Sequence, residues 1–349
     1  MKLSTSPYLV QKEILDNMKT SNLLLLSFVS RNMKKLIKSS QIERFKNISH
    51  IMYKNRRFGP KVTVPGKYSL DTIMEFTESR KKTKNNYFQL NVSGKVIDFR
   101  LFKNCNYPEA SFHPSDKESV IETIHNYFLD FFGDTVEYQW ETYYDEKFIP
   151  NLPNLTLSIS VGRVYFEITE LEDLESFFAS SPIFNHVNWE TGVLFNHESK
   201  FYQVESVRLM LYSNTVPIFL RHFQGRQAFL RCNECAILDL IEFINRWKSG
   251  EEYQMLEHLI IILLSNGIPQ NQILNANVVK LIDATKTPPT HTLPKVLKSA
   301  YSLSTDPITS HSYVVRETDN RVASVSVQGK SFCFGVWKET EEEFLRMVT

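Results

Sequence analysis

The sequence predicts an α+β protein, with a three-helix N-terminal unit followed by a curved domain of β-α repeats that ends in antiparallel strands. Three observations predict this fold class. Aliphatic residues recur at helical spacing over the first part of the chain. In the middle, strand-like and helix-like segments alternate with starts roughly two to three dozen residues apart, as in β-α repeat proteins. Towards the end, apolar and polar residues alternate on both sides of turn residues.

The N-terminal unit has the residue pattern of short helices. Ser6 can cap the first helix, and Pro7 suits its first turn, where a missing N–H has no partner to lose. Val10, Ile14 and Met18 then recur at four-residue spacing. Two further helices are predicted to place these apolar residues inside: Leu23–Leu26, Val29, Met33, Leu36 and Ile37. Because a unit of roughly 40 residues is near the lower limit for independent folding, some of this aliphatic surface must contact the rest of the chain or a partner.

The next part of the chain changes composition and then becomes strand-like. Residues 47–66 are rich in Lys, Arg, Asn, Gly and Pro, which predicts a linker. Alternation on both sides of Ser93-Gly94 predicts a β-hairpin. His113-Pro114-Ser115 then predicts the start of a helix with six apolar residues: Val120, Ile121, Ile124, Tyr127, Phe128 and Phe131.

The middle of the chain predicts alternating strands and helices. The segments are, in order, Leu155–Ile168 (strand), Leu171–Phe178 (helix), residues 204–212 (strand), Val216–Phe223 (helix), Ala228–Arg231 (strand), Ile237–Trp247 (helix) and Leu256–Leu264 (strand). No strict leucine-rich-repeat consensus is present, so the predicted repeat is irregular and only leucine-rich-repeat-like. A two-layer α+β domain would give a similar local pattern. Residues 311–337 predict two or three antiparallel strands, turning at Asp319-Asn320 and Gln328-Gly329.

Residues 6–38 contain a proline start, an apolar first helix, a leucine-rich second helix and a third helix ending in basic and apolar residues. This arrangement resembles an F-box. Ser6 departs from the family pattern, which usually has leucine there, and Met33 stands where many members have tryptophan. The residues that fit the pattern are Pro7, Leu9, Ile14, Leu15, Leu23, Leu26, Val29 and Leu36.

A second resemblance lies downstream. Phe243, Ile244 and Trp247 precede the polar break Ser249-Gly250, and the strand-like residues 256–259 follow. Together with residues 313–327, this segment resembles the F-box-associated (type 2) domain of the nematode F-box families. The resemblances imply an F-box at residues 1–46, the linker at 47–66, and an F-box-associated substrate-recognition domain at 67–349.

The resemblance implies a substrate-recognition adaptor of a Skp–cullin–F-box ubiquitin ligase, acting in ubiquitin-dependent degradation. The F-box would dock on a Skp-type adaptor and so reach a cullin-RING scaffold, while the C-terminal domain would capture an unidentified protein substrate. The chain itself would not be an enzyme. A ubiquitin-independent interaction module that does not bind the adaptor is the alternative. The residues expected to contact the adaptor are Pro7, Leu9, Ile14, Leu15, Leu23, Leu24 and Leu26.

Charge and hydropathy limit which other kinds of partner are expected. The 40 basic and 39 acidic residues give no field of one sign, which disfavours nucleic acid as a partner. The first residues turn polar too soon for a signal peptide. The longest apolar stretches, Leu23–Leu26 and Leu259–Leu264, are far below the roughly 20 residues that span a bilayer. We therefore expect no membrane partner, and a cytoplasmic location with the nucleus as a second one.

Chemical sites are sparse in the sequence. Cys232 and Cys235 form a C-x-x-C pair, which could suggest redox chemistry or half of a zinc site. No second such pair completes a metal site, so we expect the cysteines to be structural. No glycine-rich phosphate loop is present, and the nine histidines are scattered. Lys34, Lys35 and Lys38 could bind phosphate, but a solvated helix face is the simpler interpretation. We expect no cofactor and no metal.

Overall fold

A computed structural model describes residues 6–55, 59–66, 69–79, 87–101, 107–142, 149–161, 168–190, 195–211, 215–265, 267–269, 272–273, 279–299 and 302–349. The chain forms two compact units. Unit 1 comprises the described residues up to Thr142 together with residues 149–156, and unit 2 comprises those from Leu157 to Thr349. The division therefore falls far beyond residues 47–66, where the sequence predicted a linker between domains.

Unit 1 begins with four consecutive helices instead of the three predicted for an F-box. Pro7 is the N-terminal cap of the first helix, so the predicted cap Ser6 lies one residue too early. A fourth, short helix follows the three predicted ones because residues 42–46 again place an apolar side chain, Phe45, on the interior. The helices of unit 1 are α1 Tyr8–Asp16, α2 Thr20–Ser27, α3 Arg31–Ser40, α4 Ile42–Lys46 and α5 Lys117–Phe132.

The strands of unit 1 are β1 His50–Lys54, β2 Lys61–Pro65, β3 Leu70–Glu78, β4 Tyr87–Val92, β5 Lys95–Leu101, β6 Pro108–Phe112 and β7 Glu137–Thr142. Their order across the sheet is β7-β1-β2-β3-β6-β5-β4. The pairs β1–β7 and β3–β6 are parallel, and the remaining pairs are antiparallel. The N-terminal helices thus share one unit with a large sheet.

The predicted linker at residues 47–66 is instead part of this sheet. It contains β1 and β2, which pair antiparallel with Met52 opposite Thr63. Strand β1 is central, and its residues His50 to Tyr53 are all buried, so they lack the alternation that marks a half-buried strand. The surrounding polar, glycine and proline residues hide it in the sequence.

Two local predictions in unit 1 are confirmed. Strands β4 and β5 form the predicted hairpin, and Ser93 and Gly94 both have positive φ, as its two-residue turn requires. Helix α5 follows a short 3₁₀ turn that begins at Pro114. All six apolar residues predicted for this helix are buried, which makes α5 the main apolar element beside the sheet.

Unit 2 contains α6 Ile168–Ser180, α7 Val216–His222, α8 Ile237–Ser249 and α9 Glu341–Arg346. Strand β8 Leu155–Val161 starts with the last two residues of unit 1 and continues into unit 2. The other strands of unit 2 are β9 His186–Glu190, β10 Ser206–Leu211, β11 Gln227–Cys232, β12 His258–Leu263, β13 Lys280–Leu281, β14 Thr290–His291, β15 Pro294–Ser299, β16 Ser302–Ser304, β17 Ile308–Thr309, β18 Ser312–Val315, β19 Arg321–Gln328 and β20 Ser331–Thr340.

Strands β8 to β12 pair in parallel in chain order, with α6, α7 and α8 among their connections. The predicted alternation of strands and helices is therefore confirmed, whereas the leucine-rich-repeat-like interpretation stays a prediction. Strand β12 then pairs antiparallel with β20, followed by β19, β18 and β13. The sequence predicted two or three C-terminal strands, and the structure has three, β18, β19 and β20. Asn320 and Gly329 have positive φ at the two predicted turns.

The parallel strands of unit 2 have two different faces. On one face, helices cover aromatic side chains: Phe178 of α6 stacks on Trp189 of β9 at 6.2 Å between ring centroids. Trp247 of α8 meets Phe334 of β20 edge-on at 5.1 Å. On the opposite face, side chains at alternate strand positions are exposed, among them Asn188, Arg208 and Arg231. We call this second surface the open sheet face.

A row of buried polar side chains crosses the edge of the open sheet face. His186, Ser206, Gln227 and His258 occupy neighbouring positions in the register of β9 to β12, and all four are buried. Strand β15 covers Gln227: the Gln227 side-chain amide donates to the Pro294 carbonyl at 2.8 Å and accepts from the backbone N–H of residue 296 at 3.3 Å. We call residues 290–304, which contain β14 to β16, the strap.

Burial lowers the pKa values of the two histidines in this row, His186 and His258. Loss of solvent lowers the pKa of His186 and of His258 to about 3, and the nearby positive charge of Lys295 acts in the same direction. His258 also stacks on His291 of the strap at 5.9 Å. Both histidines are therefore neutral in the folded protein at neutral pH.

We predict that acid destabilises unit 2 through these histidines. Between about pH 6.5 and pH 3 the unfolded chain binds protons that the folded chain does not, so stability falls with decreasing pH by at most about 1.4 kcal/mol per pH unit for each histidine. A His258→Leu variant should lose stability less steeply. Urea unfolding at several pH values, followed by tryptophan fluorescence, measures this, because three of the four tryptophans lie in unit 2: Trp189, Trp247 and Trp337. Equal pH dependence in both proteins would contradict the prediction.

Candidate protein-docking surfaces

Helix α1 presents an exposed apolar surface. Leu9 is 77% exposed and Ile14 is 37% exposed, and Tyr8 and Val10 on the same helix are also exposed. Only Leu15 of α1 is buried. An amphipathic helix normally directs its apolar residues to the core, so exposed apolar residues on a short helix make it a candidate contact surface for another molecule. We call Tyr8, Leu9, Val10 and Ile14 the α1 surface.

The seven residues predicted to contact an adaptor divide by burial. Pro7, Leu9 and Ile14 are exposed, and Leu26 is half-buried. The other three, Leu15, Leu23 and Leu24, are fully buried inside unit 1 and offer no surface to a partner in this structure. The reason is geometric: α2 has apolar residues at four consecutive positions, so successive side chains point in different directions and some of them must face the core.

The structure also corrects the pattern around the third helix. Val29 was predicted to face inward, but it precedes the helix and is 64% exposed. Ser30 is the N-terminal cap of α3, and its hydroxyl accepts a hydrogen bond from the Met33 backbone N–H at 3.1 Å. Met33 and Leu36 are half-buried, whereas Ile37 is buried as predicted. The residues predicted to contact a partner did not include Tyr8, which is exposed. Its position directly after the helix cap Pro7 could have indicated this.

The N-terminal helices pack on α5 through aromatic rings. Phe28, directly after α2, lies 4.6 Å from Tyr127 of α5 between ring centroids, and the Tyr127 hydroxyl donates to the Ser27 hydroxyl at 2.8 Å. Phe45 of α4 meets Phe131 edge-on at 5.1 Å. These contacts turn α2 and α4 towards α5 and leave the α1 surface outside.

The N-terminal helices of unit 1 match one known protein family. The F-box domain model matches residues 7–45. This range begins at the cap of α1 and ends inside α4, so an F-box domain is present at the N-terminal helices. F-box domains generally bind a Skp-type adaptor within cullin-RING ubiquitin ligases. No curated protein and no solved structure matches the chain.

The second resemblance, to an F-box-associated domain of nematode type, stays a prediction. Its residues have the local structure that the sequence suggested. Phe243, Ile244 and Trp247 are buried on one side of α8, and Gly250 ends this helix in a left-handed conformation. Asn320 has φ of 57° at the turn before β19. A left-handed residue at each of these positions ends one element and begins the next.

The open sheet face of unit 2 is a second candidate surface. Its exposed or half-buried side chains include Asn188, Arg208, Phe229 and Arg231. The Arg208 guanidinium carbon lies 5.8 Å from the Phe229 ring centroid, and the Lys295 ammonium of the strap lies 5.9 Å from it. Burial lowers the pKa of Lys295; the negative charge of Asp306 opposes this shift, and the positive charge of Arg208 adds to it. An aromatic ring flanked by two cations on a partly exposed sheet face suits recognition of another protein.

The other aromatic residues of this region are not available for recognition. Sequence reasoning expected core packing to explain most of them and could not separate core from interface. The structure separates them, because all but the half-buried Phe177 are buried on the helix-covered side: Phe178, Phe184, Trp189, Phe201 and Tyr202.

The C-x-x-C pair lies at the end of β11 and before α8. Burial raises the pKa of Cys232 to about 11 and that of Cys235 to about 12. Thiol reactivity and metal binding need the thiolate, so this environment favours a structural role. Within the described ranges, no cluster of His, Cys, Asp or Glu side chains is arranged to hold a metal ion. No helix in the described part of the chain is long and apolar enough to cross a membrane.

We predict that Leu15 and Leu9 differ in their effect on stability. Leu15→Ala removes a fully buried side chain and should lower the free energy of unfolding of unit 1 by about 2–5 kcal/mol. Leu9→Ala, which shortens an exposed side chain, should change it by less than about 0.5 kcal/mol. Hydrogen exchange of the amides in α2 and α5 measures both effects. Similar exchange in the two variants would contradict the division of α1 into a buried and an exposed side.

Proposed function

We propose that this protein is a substrate-recognition adaptor subunit of a Skp–cullin–F-box ubiquitin ligase. The observation that supports it most directly is the F-box domain match at residues 7–45. In this proposal the N-terminal helices bind a Skp-type adaptor, and unit 2 binds a target protein. The bond-forming chemistry belongs to other subunits, and this chain acts by raising the local concentration of its target near them.

The α1 surface supports the first part of the proposal. Leu9 is almost fully exposed for a leucine, and Ile14 lies further along the same helix. Aliphatic side chains of this kind bind in apolar grooves, and a few central ones supply most of the affinity. Leu15, Leu23 and Leu24 contribute indirectly, since their burial fixes the orientation of α1 and α2.

The open sheet face supports the second part. Four neighbouring parallel strands, β9 to β12, present side chains from alternate positions on one surface. Because these side chains lie on rigid strands, they are already arranged for binding and lose little entropy when a partner is bound. Arg208, Phe229 and Arg231 provide charge and apolar area on this face. We place substrate recognition here, in a cytoplasmic or nuclear protein that marks its target for degradation.

An interaction module that does not bind the adaptor is the alternative function. The departures at Ser6 and Met33 favour it, because the family pattern places larger apolar side chains there. The structure shows Met33 only half-buried, so this position offers little apolar area to a partner. The two functions differ in one measurable property, the formation of a complex with a Skp-type adaptor.

We predict that the α1 surface is required for this complex. On co-expression with a Skp-type adaptor, the chain should elute with it in size-exclusion chromatography, and a Leu9→Asp/Ile14→Asp double variant should lose at least about 99% of the complex. Both positions are exposed, so the variant should remain folded. Val96→Asp, at a 58% exposed position of β5 in the same unit, is the matched control and should bind normally.

Either of two results would contradict adaptor docking through α1. The double variant could form as much complex as the unaltered chain, or the folded chain could bind none of the Skp-type adaptors tested. The second result would support the interaction module instead. Circular dichroism spectra of all variants establish that they are folded.

We predict that substrate binding depends on the open sheet face and is separable from adaptor binding. An Arg208→Glu/Arg231→Glu variant should still bind the adaptor. The amount of target protein that co-purifies with it should fall at least about tenfold, because the variant reverses two charges on this face. Arg221→Glu on α7 is the control, since Arg221 is exposed on the helical side. The measurement is quantitative mass spectrometry of proteins that co-purify with each variant. An identical set of proteins from both variants would contradict this assignment.

A further inference from the structure

Unit 1 contains a groove of about 810 Å³ that the proposed function does not use. Helix α3 lines one side, the β4–β5 turn lines another, and α5 and the residues after α2 form the base. No residue of the α1 surface borders it. The groove is therefore distinct from the surface proposed for adaptor binding.

The groove is strongly basic. Four cationic side chains of α3 line it, and among its described lining residues Asp130 is the one carboxylate. In sequence order the cations are Arg31, Lys34, Lys35 and Lys38. This local charge contrasts with the near-neutral chain, whose 40 basic and 39 acidic residues almost balance.

The lysines and Asp130 form a fixed arrangement. Lys34 and Lys38 both contact the Asp130 carboxylate, and Lys38 also donates to the Asp130 backbone carbonyl. The hydrogen bond from Lys34 lowers the pKa of Asp130, so this carboxyl is ionised at neutral pH. Lys34 is held a second time, because its ammonium lies 3.7 Å from the centroid of the Tyr127 ring.

The remaining two cations have no internal counterion. Arg31 and Lys35 are exposed, and neither forms an ion pair with a carboxylate in the described part of the chain. The four positive charges of Arg31, Lys34, Lys35 and Lys38 lie in one concave surface and repel one another. A bound anion would reduce this repulsion. The geometry therefore suits a ligand with several negative charges.

Apolar surface accompanies the charge. Phe28 and Tyr127 form the base of the groove, and Ile42, which is exposed, lies at its border. Single-stranded nucleic acid fits this surface poorly, because it binds best where exposed aromatic faces let its bases stack. Tyr127 is buried, and the Lys34 ammonium covers its ring. Acidic side chains interspersed with apolar ones match both properties of the groove.

We infer that this groove binds an acidic peptide segment of a partner protein. Carboxylates of the segment pair with Arg31 and Lys35, whose guanidinium and ammonium groups donate hydrogen bonds to the carboxylate oxygens. An apolar side chain of the segment lies against Ile42, which is exposed at the border of the groove. The bound segment competes with Asp130 for Lys34 and Lys38, so Asp130 weakens binding.

Two opposite variants test this inference. The probe is a fluorescein-labelled peptide of alternating Glu-Glu and Leu residues, and its binding to the full chain is measured by fluorescence anisotropy at low salt. Arg31→Glu should weaken binding by at least about tenfold, and Asp130→Asn should strengthen it by about threefold. Lys46→Glu is the matched control, because Lys46 is exposed on α4 and does not line the groove, and it should leave binding unchanged. A gain of binding in Asp130→Asn cannot result from unfolding.

Several results would overturn the inference. These are no binding of the peptide to the unaltered chain at low salt, equal binding of a peptide with Gln in place of Glu, and an unchanged or weaker affinity in Asp130→Asn. Displacement of the peptide by single-stranded oligothymidine at lower concentration than by unlabelled peptide would assign the groove to nucleic acid. Loss of the Skp-type adaptor in Arg31→Glu would assign it to the adaptor. Retention of the adaptor together with loss of the peptide supports a separate site, and this outcome does not depend on whether α1 binds the adaptor.

Discussion

The packing of the N-terminal helices on α5 is the interaction on which unit 1 depends. Short helices cannot bury their apolar side chains among themselves, so α2 and α4 require the aromatic surface of α5. The ring of Phe28 on Tyr127 and the ring of Phe45 on Phe131 fix them there. The hydrogen bond between the Tyr127 and Ser27 hydroxyls satisfies two buried polar groups at the same contact. Because α5 lies more than 70 residues beyond the end of α4, the F-box helices here are part of a larger core and not a detachable module.

This packing decides which aliphatic residues remain for a partner. Once α2 turns Leu23 and Leu24 inward, α1 follows through Leu15 and leaves Leu9 and Ile14 in solvent. The same packing therefore buries Leu15, Leu23 and Leu24 and leaves Leu9 and Ile14 exposed. Substitution of a buried leucine would disturb adaptor binding only by unfolding the helices that present the exposed ones, which is why exposed positions give the informative variants.

Several elements could be predicted from sequence because their causes are local. The hairpin follows from Ser93-Gly94, and the C-terminal turns follow from Asn320 and Gly329, where positive φ is the requirement. Strand β1 could not be predicted, since it is buried on both faces and its parallel partner β7 is more than 80 residues away. Residue type also could not separate Leu9 from Leu15: both are leucines on one short helix, and the side that is buried depends on where α2 and α5 lie.

In unit 2 the strap determines what the sheet can offer to a partner. Parallel sheets usually have both faces covered. Here helices cover one face, while on the other face β15 covers the row at Gln227.

Without the strap this row would expose polar groups on an apolar sheet. The backbone of the strap forms hydrogen bonds with both the amide nitrogen and the amide oxygen of the Gln227 side chain. In the next row Arg208 is exposed and Phe229 is half-buried, whereas Ile260 of β12 is buried. Because Lys295 belongs to the strap and lies over Phe229, the strap both limits the open sheet face and adds a positive charge to it. The surface that we propose for target recognition is therefore built from two distant parts of the chain, and no contiguous sequence motif corresponds to it.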